Sequence, residues 1–116
     1  MLSRLFGGGG DGAASAIDVV EAERRASAGE VVLIDVREKS EWKSGHAPMA
    51  RHMPLGGIDD RALHELKKKG KTVAFICRSG SRSNTACGKA RRAGVEAINV
   101  KGGMNAWSRA GLPVKR

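Results

Sequence analysis

Residues 77–83 read Cys-Arg-Ser-Gly-Ser-Arg-Ser. One thiol is followed by two guanidiniums, three hydroxyls and a glycine. A cysteine acts as a nucleophile through its thiolate, which nearby arginines and helix N-termini favour by lowering the thiol pKa. Gly80 can adopt backbone angles that let successive N–H groups converge on one point. Ser79 and Ser81 add hydroxyl donors, and Arg78 and Arg82 add charge-assisted ones. Every group in this stretch can donate to an anion, so the pattern implies a nucleophilic Cys77 whose intermediate is negatively charged. No separate base for it is evident. The plainer reading is a small apolar residue that ends a strand, and the loop composition argues against it.

The spacing narrows the chemistry. Cysteine phosphatases place five residues between the nucleophile and an arginine. Here Arg82 follows Cys77 after four residues, and the sixth residue is Ser83. The ring 77–82 is one residue short, and a smaller cradle suits one added sulfur better than a tetrahedral phosphoryl group.

Other reactive residues carry weaker patterns. Asp35 and Arg37 are charges at a strand end, read as a buried ion pair that positions loops, with Arg37 as an alternative border of the pocket. His46, His52 and His64 are spaced by six and twelve residues in different elements, which is not a metal-ligand pattern; no metal or cofactor is expected. His46 is instead read as a turn hydrogen-bonding group. Cys87 lies beside Ala86 and Ala90 on a predicted helix and reads as core. A bridge to Cys77 would need the two Cα atoms within about 7 Å. Trp42 and Trp107 read as packing residues. Gly102-Gly103 signals a close backbone approach near the active loop, and no Gly-x-Gly-x-x-Gly pattern accompanies it.

These residues need elements to hold them. Val31–Val36 is apolar and β-branched apart from Asp35, as in a parallel-sheet strand buried on both faces. Thr72–Ile76 repeats the pattern and runs into Cys77. Arg51–Met53 and Ala97–Val100 read as further strands. Helices are predicted from Asp18, spaced from Glu21 as in a capping box, to about Ala28; over 38–43; from Asp59 to Lys69, with Leu63 and Leu66 facing inward; from Ser83 to Ala93; and from Met104 to Ala110. Gly29, Gly70, Gly94 and Gly111 follow four of them as stops. The alternation of strands and helices predicts an α/β domain on a mainly parallel sheet flanked by helices, and in such sheets sites form beyond the carboxyl ends of the strands, where Cys77 sits.

The 116 residues suit one domain. Residues 1–14 are glycine-rich and read as a flexible tail, leaving 15–116 as the folded unit. The hydrophobic fraction, 41%, allows a core, and scarce aromatics make it aliphatic. Two cysteines make no disulfide framework and suit a reducing compartment. The N-terminus has no apolar signal region, and no apolar run is long enough to span a membrane, so a cytoplasmic protein is expected. The net charge of +9 is uneven: residues 1–60 carry 7 basic and 10 acidic residues, whereas 61–116 carry 14 and 2. The basic half either complements helix C-termini or docks an acidic partner.

Four ordered blocks together resemble the rhodanese-like family, specifically its short single-domain sulfurtransferases. They are Val32–Arg37; Glu41-Trp42 with Gly45-His46, Pro48 and Ala50; Cys77–Ser83; and Gly102–Trp107 with Gly111–Val114. The resemblance covers residues 15–114. Ala47-Pro48-Met49 departs from the family's aliphatic-Pro-Gly turn, away from the cysteine. The resemblance implies that Cys77 takes sulfane sulfur from a donor such as thiosulfate, becomes a persulfide, and passes the sulfur to cyanide or a thiol. It also implies that the amides of residues 78–82 hold the persulfide and that Arg78 and Arg82 meet the sulfonate. Competing functions are a sulfur carrier that docks an acidic protein or, less readily, RNA through its basic half, and a phosphatase or arsenate reductase of the same fold.

Overall fold

A computed structural model describes residues 15–116; the tail expected at 1–14 lies outside the described residues. Five strands form one all-parallel sheet: β1 (Ala16–Ile17), β2 (Val31–Asp35), β3 (Arg51–His52), β4 (Thr72–Ile76) and β5 (Ala97–Val100), in the order β1-β5-β4-β2-β3. The helices are α1 (Val19–Ser27), α2 (Lys39–Ser44), α3 (Asp60–Lys69), α4 (Ser81–Arg92) and α5 (Gly103–Arg109). The chain moves outward from β2 to β3, then crosses back to β4. The strand order therefore reverses between β2 and β4, and crevices open at such a switch point.

Each helix end has a local cause. Asp18 caps α1 by accepting from the Glu21 amide at 2.9 Å. The Glu21 carboxylate does not return to the cap; it accepts from Arg24 and Arg25 instead. Asp59 caps α3 in the same way through the Ala62 amide, and Gly70 stops that helix in the left-handed conformation. The helix expected over 38–43 is shifted by one residue, because Glu38 stands outside it as the cap of a full capping box with Glu41.

Both faces of the sheet are covered, and the two-residue period of the strands divides the core. Val73 and Phe75 of β4, with Ile34 and Val36, pack toward Leu63, Leu66, Ala86 and Ala90 of α3 and α4. Ala74 and Ile76, with Val31 and Leu33, pack toward Val19, Ala22, Met104 and Trp107 of α1 and α5. Continuing the period puts Cys77 on the α3/α4 face. Its sulfur therefore meets the start of α4.

Cys87 is buried in the same cluster. Burial pushes its thiol pKa up to about 11, although Arg91 nearby opposes the rise, so it is an unreactive core thiol near neutral pH. Trp107 is fully buried, and its indole N–H donates to the Pro113 carbonyl at 2.8 Å. The basic clusters Lys67-Lys68-Lys69 and Lys89-Arg91-Arg92 occupy the last turns of α3 and α4. These helices run antiparallel to the strands, so their basic ends lie across the domain from Cys77. No helix of the described residues is long and apolar enough to cross a membrane.

Candidate active site

Cys77 leaves the carboxyl end of β4, flanked by β2 and β5. The chain then turns within three residues. Gly80, at φ +115°, caps α4 from the left-handed region, where a side chain would be strained. The helix thus begins at Ser81, two residues before the expected start at Ser83. The serines there are natural caps, but glycine supplies the turn and frees Ser83 to face inward.

The donors that reach the sulfur are specific. The Gly80 amide lies 3.1 Å and the Ser83 hydroxyl 3.3 Å from Cys77 Sγ. Burial alone would raise the thiol pKa, but the Ser83 hydroxyl and the amides of Ser83, Gly80 and Ser79 outweigh it, and the net shift is downward. Ser83 is fully buried, and its hydroxyl also lies 2.5 Å from Asn99 Oδ1 of β5, so its one proton is shared between two acceptors, this oxygen and the sulfur. Asn99 in turn donates from Nδ2 to the Gly80 carbonyl at 3.2 Å. One β5 side chain thus fixes both the cap of α4 and the hydroxyl that meets the sulfur.

Ser83→Ala removes the largest of the groups that lower the thiol pKa. Its alkylation-rate profile is expected to move to higher pH, with a several-fold slower reaction at pH 7. An unmoved profile against iodoacetamide would contradict the assignment.

The arginines are arranged differently from the sequence expectation. Arg82, expected to meet the substrate anion, donates from Nη1 and Nη2 to the two Glu41 carboxylate oxygens of α2, at 2.8 and 3.0 Å. This pairing holds the Glu41 carboxyl at about 2, well below the usual range. The cause of Arg82's turn is the neighbouring α2, whose capping box points Glu41 at the loop. Arg78 is exposed, and its guanidinium has no ion-pair or hydrogen-bond partner among the described residues. Ser79 offers its amide, while the Ser79 and Ser81 hydroxyls make no hydrogen bond to the sulfur.

Asp35 and Arg37 form a buried ion pair. Asp35 Oδ1 accepts from the Arg37 amide at 2.9 Å and from Nε at 3.0 Å, and Oδ2 accepts from Nη2 at 2.9 Å. Nη2 also donates to the Gly45 carbonyl at 2.7 Å, tying the end of β2 to the end of α2. Trp42 stacks on His46, with centroids 3.5 Å apart, and on His52 at 4.8 Å. The His46 Nδ1 bonds the Trp42 carbonyl and the His52 Nε2 the Arg37 carbonyl, each at 2.8 Å. The histidines thus stiffen the α2 segment, which carries Glu41.

The glycine pair braces the loop from behind. Beyond Gly103, the Met104 amide donates to the Cys77 carbonyl at 2.8 Å and the Asn105 amide to the Arg78 carbonyl at 3.0 Å. A Cβ on Gly103 would collide with the Cys77 carbonyl oxygen and lie 2.6 Å from the Arg78 carbonyl, at φ +53°. Gly103→Ala is therefore expected to cost at least about 2 kcal/mol and to slow Cys77 alkylation as the loop is displaced. Wild-type stability in urea with unchanged thiol reactivity would refute this reading.

The roomier clefts lie elsewhere: about 460 Å³ beside Val31, Met49 and Lys71, about 340 Å³ beside His64, Lys67 and Lys68, and about 310 Å³ beside Ile58, Leu63 and Arg92. None of the three touches the loop. A cleft of about 210 Å³ borders Arg78.

Known proteins resemble this chain in sequence and fold. The rhodanese-like domain model matches residues 18–110. The putative sulfurtransferase YtwF of Bacillus subtilis is 44% identical over 67% of this chain and 74% of its own. A sulfurtransferase of Allochromatium vinosum is 36% identical over 80% of this chain and 86% of its own. Among solved structures, the rhodanese-like domain of the Anabaena protein Alr3790 superposes with a TM-score of 0.76, at 28% identity, over 87% of this chain and 78% of that one. The fold, the loop at the end of β4 and these relatives together place the chain in the rhodanese-like family of sulfurtransferases and sulfur carriers.

Proposed function

We propose that the protein is a sulfurtransferase that works through a persulfide on Cys77. The observation that carries this reading is the sulfur's position, held between the Gly80 amide and the Ser83 hydroxyl at the carboxyl end of β4. The Cys77 thiolate attacks the outer sulfur of thiosulfate. A new S–S bond forms, the old one breaks, and sulfite leaves with the bonding pair. The persulfide anion that remains is stabilised by the same donors that favoured the thiolate. Cyanide or a thiolate then attacks the terminal sulfur, and Cys77 departs again as thiolate. Each step exchanges one sulfur bond for another, so the cycle needs no cofactor.

Cys77 is fully buried at rest, whereas Arg78 and Ser79 are exposed. A donor reaches the sulfur from the side of these two residues. Phosphatase chemistry is the weaker reading, because the guanidinium of Arg82 is engaged by Glu41 instead of facing the loop. The test is steady-state turnover with thiosulfate and cyanide. Thiocyanate and sulfite are expected in equal amounts. Absence of thiocyanate, with thiosulfate and also with a small-molecule persulfide donor, would overturn the assignment.

A further inference from the structure

The 210 Å³ cleft beside the loop is lined by Arg37, Arg78 and Arg116, with Asn105 and Ser108 of α5, and by no Asp or Glu side chain. The guanidiniums of Arg78 and Arg116 have no ion-pair or hydrogen-bond partner among the described residues. Arg37 is only 6% exposed, and its Nε and Nη2 are committed to Asp35 and to the Gly45 carbonyl. Its Nη1 has no partner. No buried side-chain nitrogen among the described residues lacks a partner, so Nη1 must reach open space, and the open space that Arg37 borders is this cleft. Arg82, by contrast, is neutralised by Glu41. The unpaired guanidiniums beside the loop are therefore those of Arg78 and Arg116, not that of Arg82.

The cleft is joined to the reactive residue. Its α5 wall donates amides to the carbonyls of Cys77 and Arg78. Cys77 itself does not line it. An anion seated there is displaced from the sulfur and must be linked to its reacting atom by a spacer. Thiosulfate has no spacer, since its charged group adjoins the sulfur under attack. Guanidiniums match planar carboxylates with paired hydrogen bonds, and Asn105 and Ser108 supply neutral donors beside them.

We propose that this cleft anchors the carboxylate of a small thiol that accepts sulfur from Cys77. The proposal rests on the sulfurtransferase reading. The thiolate of the anchored acceptor attacks the terminal sulfur of the persulfide; its new S–S bond replaces the one to Cys77, which leaves as thiolate.

Two probes of similar size test it, 3-mercaptopropionate and the uncharged 2-mercaptoethanol. The first arm needs no turnover: each is titrated into the reduced protein while the arginine Nε–H resonances are followed by NMR. Saturable shifts at Arg78 and Arg116 with mercaptopropionate alone are expected. Shifts at Arg82 alone, or none, would overturn the proposal even if the persulfide forms. The second arm measures acceptor kinetics in Arg116→Gln. The KM for mercaptopropionate is expected to rise about three- to tenfold relative to that for mercaptoethanol. An unchanged ratio overturns the proposal, and so does a rise confined to the KM for thiosulfate, which would make the cleft a donor site. If no persulfide forms at all, the second arm reads nothing, and the NMR arm alone decides.

Discussion

Replacing Cys77 by serine is expected to abolish sulfur transfer, with thiocyanate formation falling to the uncatalysed rate. The reason is chemical. A serine hydroxyl cannot hold sulfane sulfur in an exchangeable bond, and nothing else near the loop can take its place. Cys87 is buried, with its thiol held at about 11. The substitution is close to isosteric, and the Gly80 amide and Ser83 hydroxyl that face the sulfur can also meet an oxygen. Folding is therefore expected to survive, which keeps the loss assignable to chemistry. Thermal unfolding of the variant beside its turnover checks this. Retained transfer in a folded variant would remove Cys77 from the mechanism.

The second large effect concerns stability. Asp35→Ala is expected to cost about 3–5 kcal/mol, the range for leaving one member of a buried ion pair without its partner. Asp35 is fully buried and Arg37 nearly so, with side-chain exposures of 0% and 7%. The carboxylate accepts from the Arg37 amide, Nε and Nη2 together. Removing it strands a buried guanidinium, because arginine cannot shed its charge. The damage should extend to the site, since Arg37 also holds Gly45 at the end of α2 and α2 carries Glu41. Urea unfolding measures the loss. A second variant, Asp35→Ala with Arg37→Met, is expected to recover much of it, because the unpaired charge is then gone. Equal instability of the single and double variants would show that the pair acts through packing and not through charge.

The fold was legible because the strong strands are short β-branched runs between glycine stops. Val31–Asp35 and Thr72–Ile76 form neighbouring strands in register, and Cys77 follows the second directly. A mainly parallel sheet was legible from the alternation of elements, but its strand order was not. What escaped the sequence was contact across distance. The helix expected from Ser83 begins at Ser81, with Gly80 in the left-handed region as its cap. The partner of Ser83, Asn99, lies on β5, which becomes a neighbour only once the strand order is known. Arg82 and Glu41 are separated by 41 positions. Nothing local says that α2 will deliver a carboxylate to the loop. Local charge therefore suggested a freely positive cradle, whereas the structure pairs one guanidinium and leaves Arg78 free. The Asp35–Arg37 pair is local, two residues apart, and for that reason it could be read beforehand as one of two roles.

The most direct test of the central claim is the mass of the intact protein after incubation with thiosulfate, beside Cys77→Ser. The wild-type chain should gain about 32 Da, one sulfur atom, and lose it when cyanide is added; the serine variant should gain nothing. Equal gains on both chains would place the sulfur elsewhere. No gain on a wild-type protein with its Cys77 thiol shown to be reduced, with thiosulfate or with a persulfide donor, would contradict the persulfide mechanism itself.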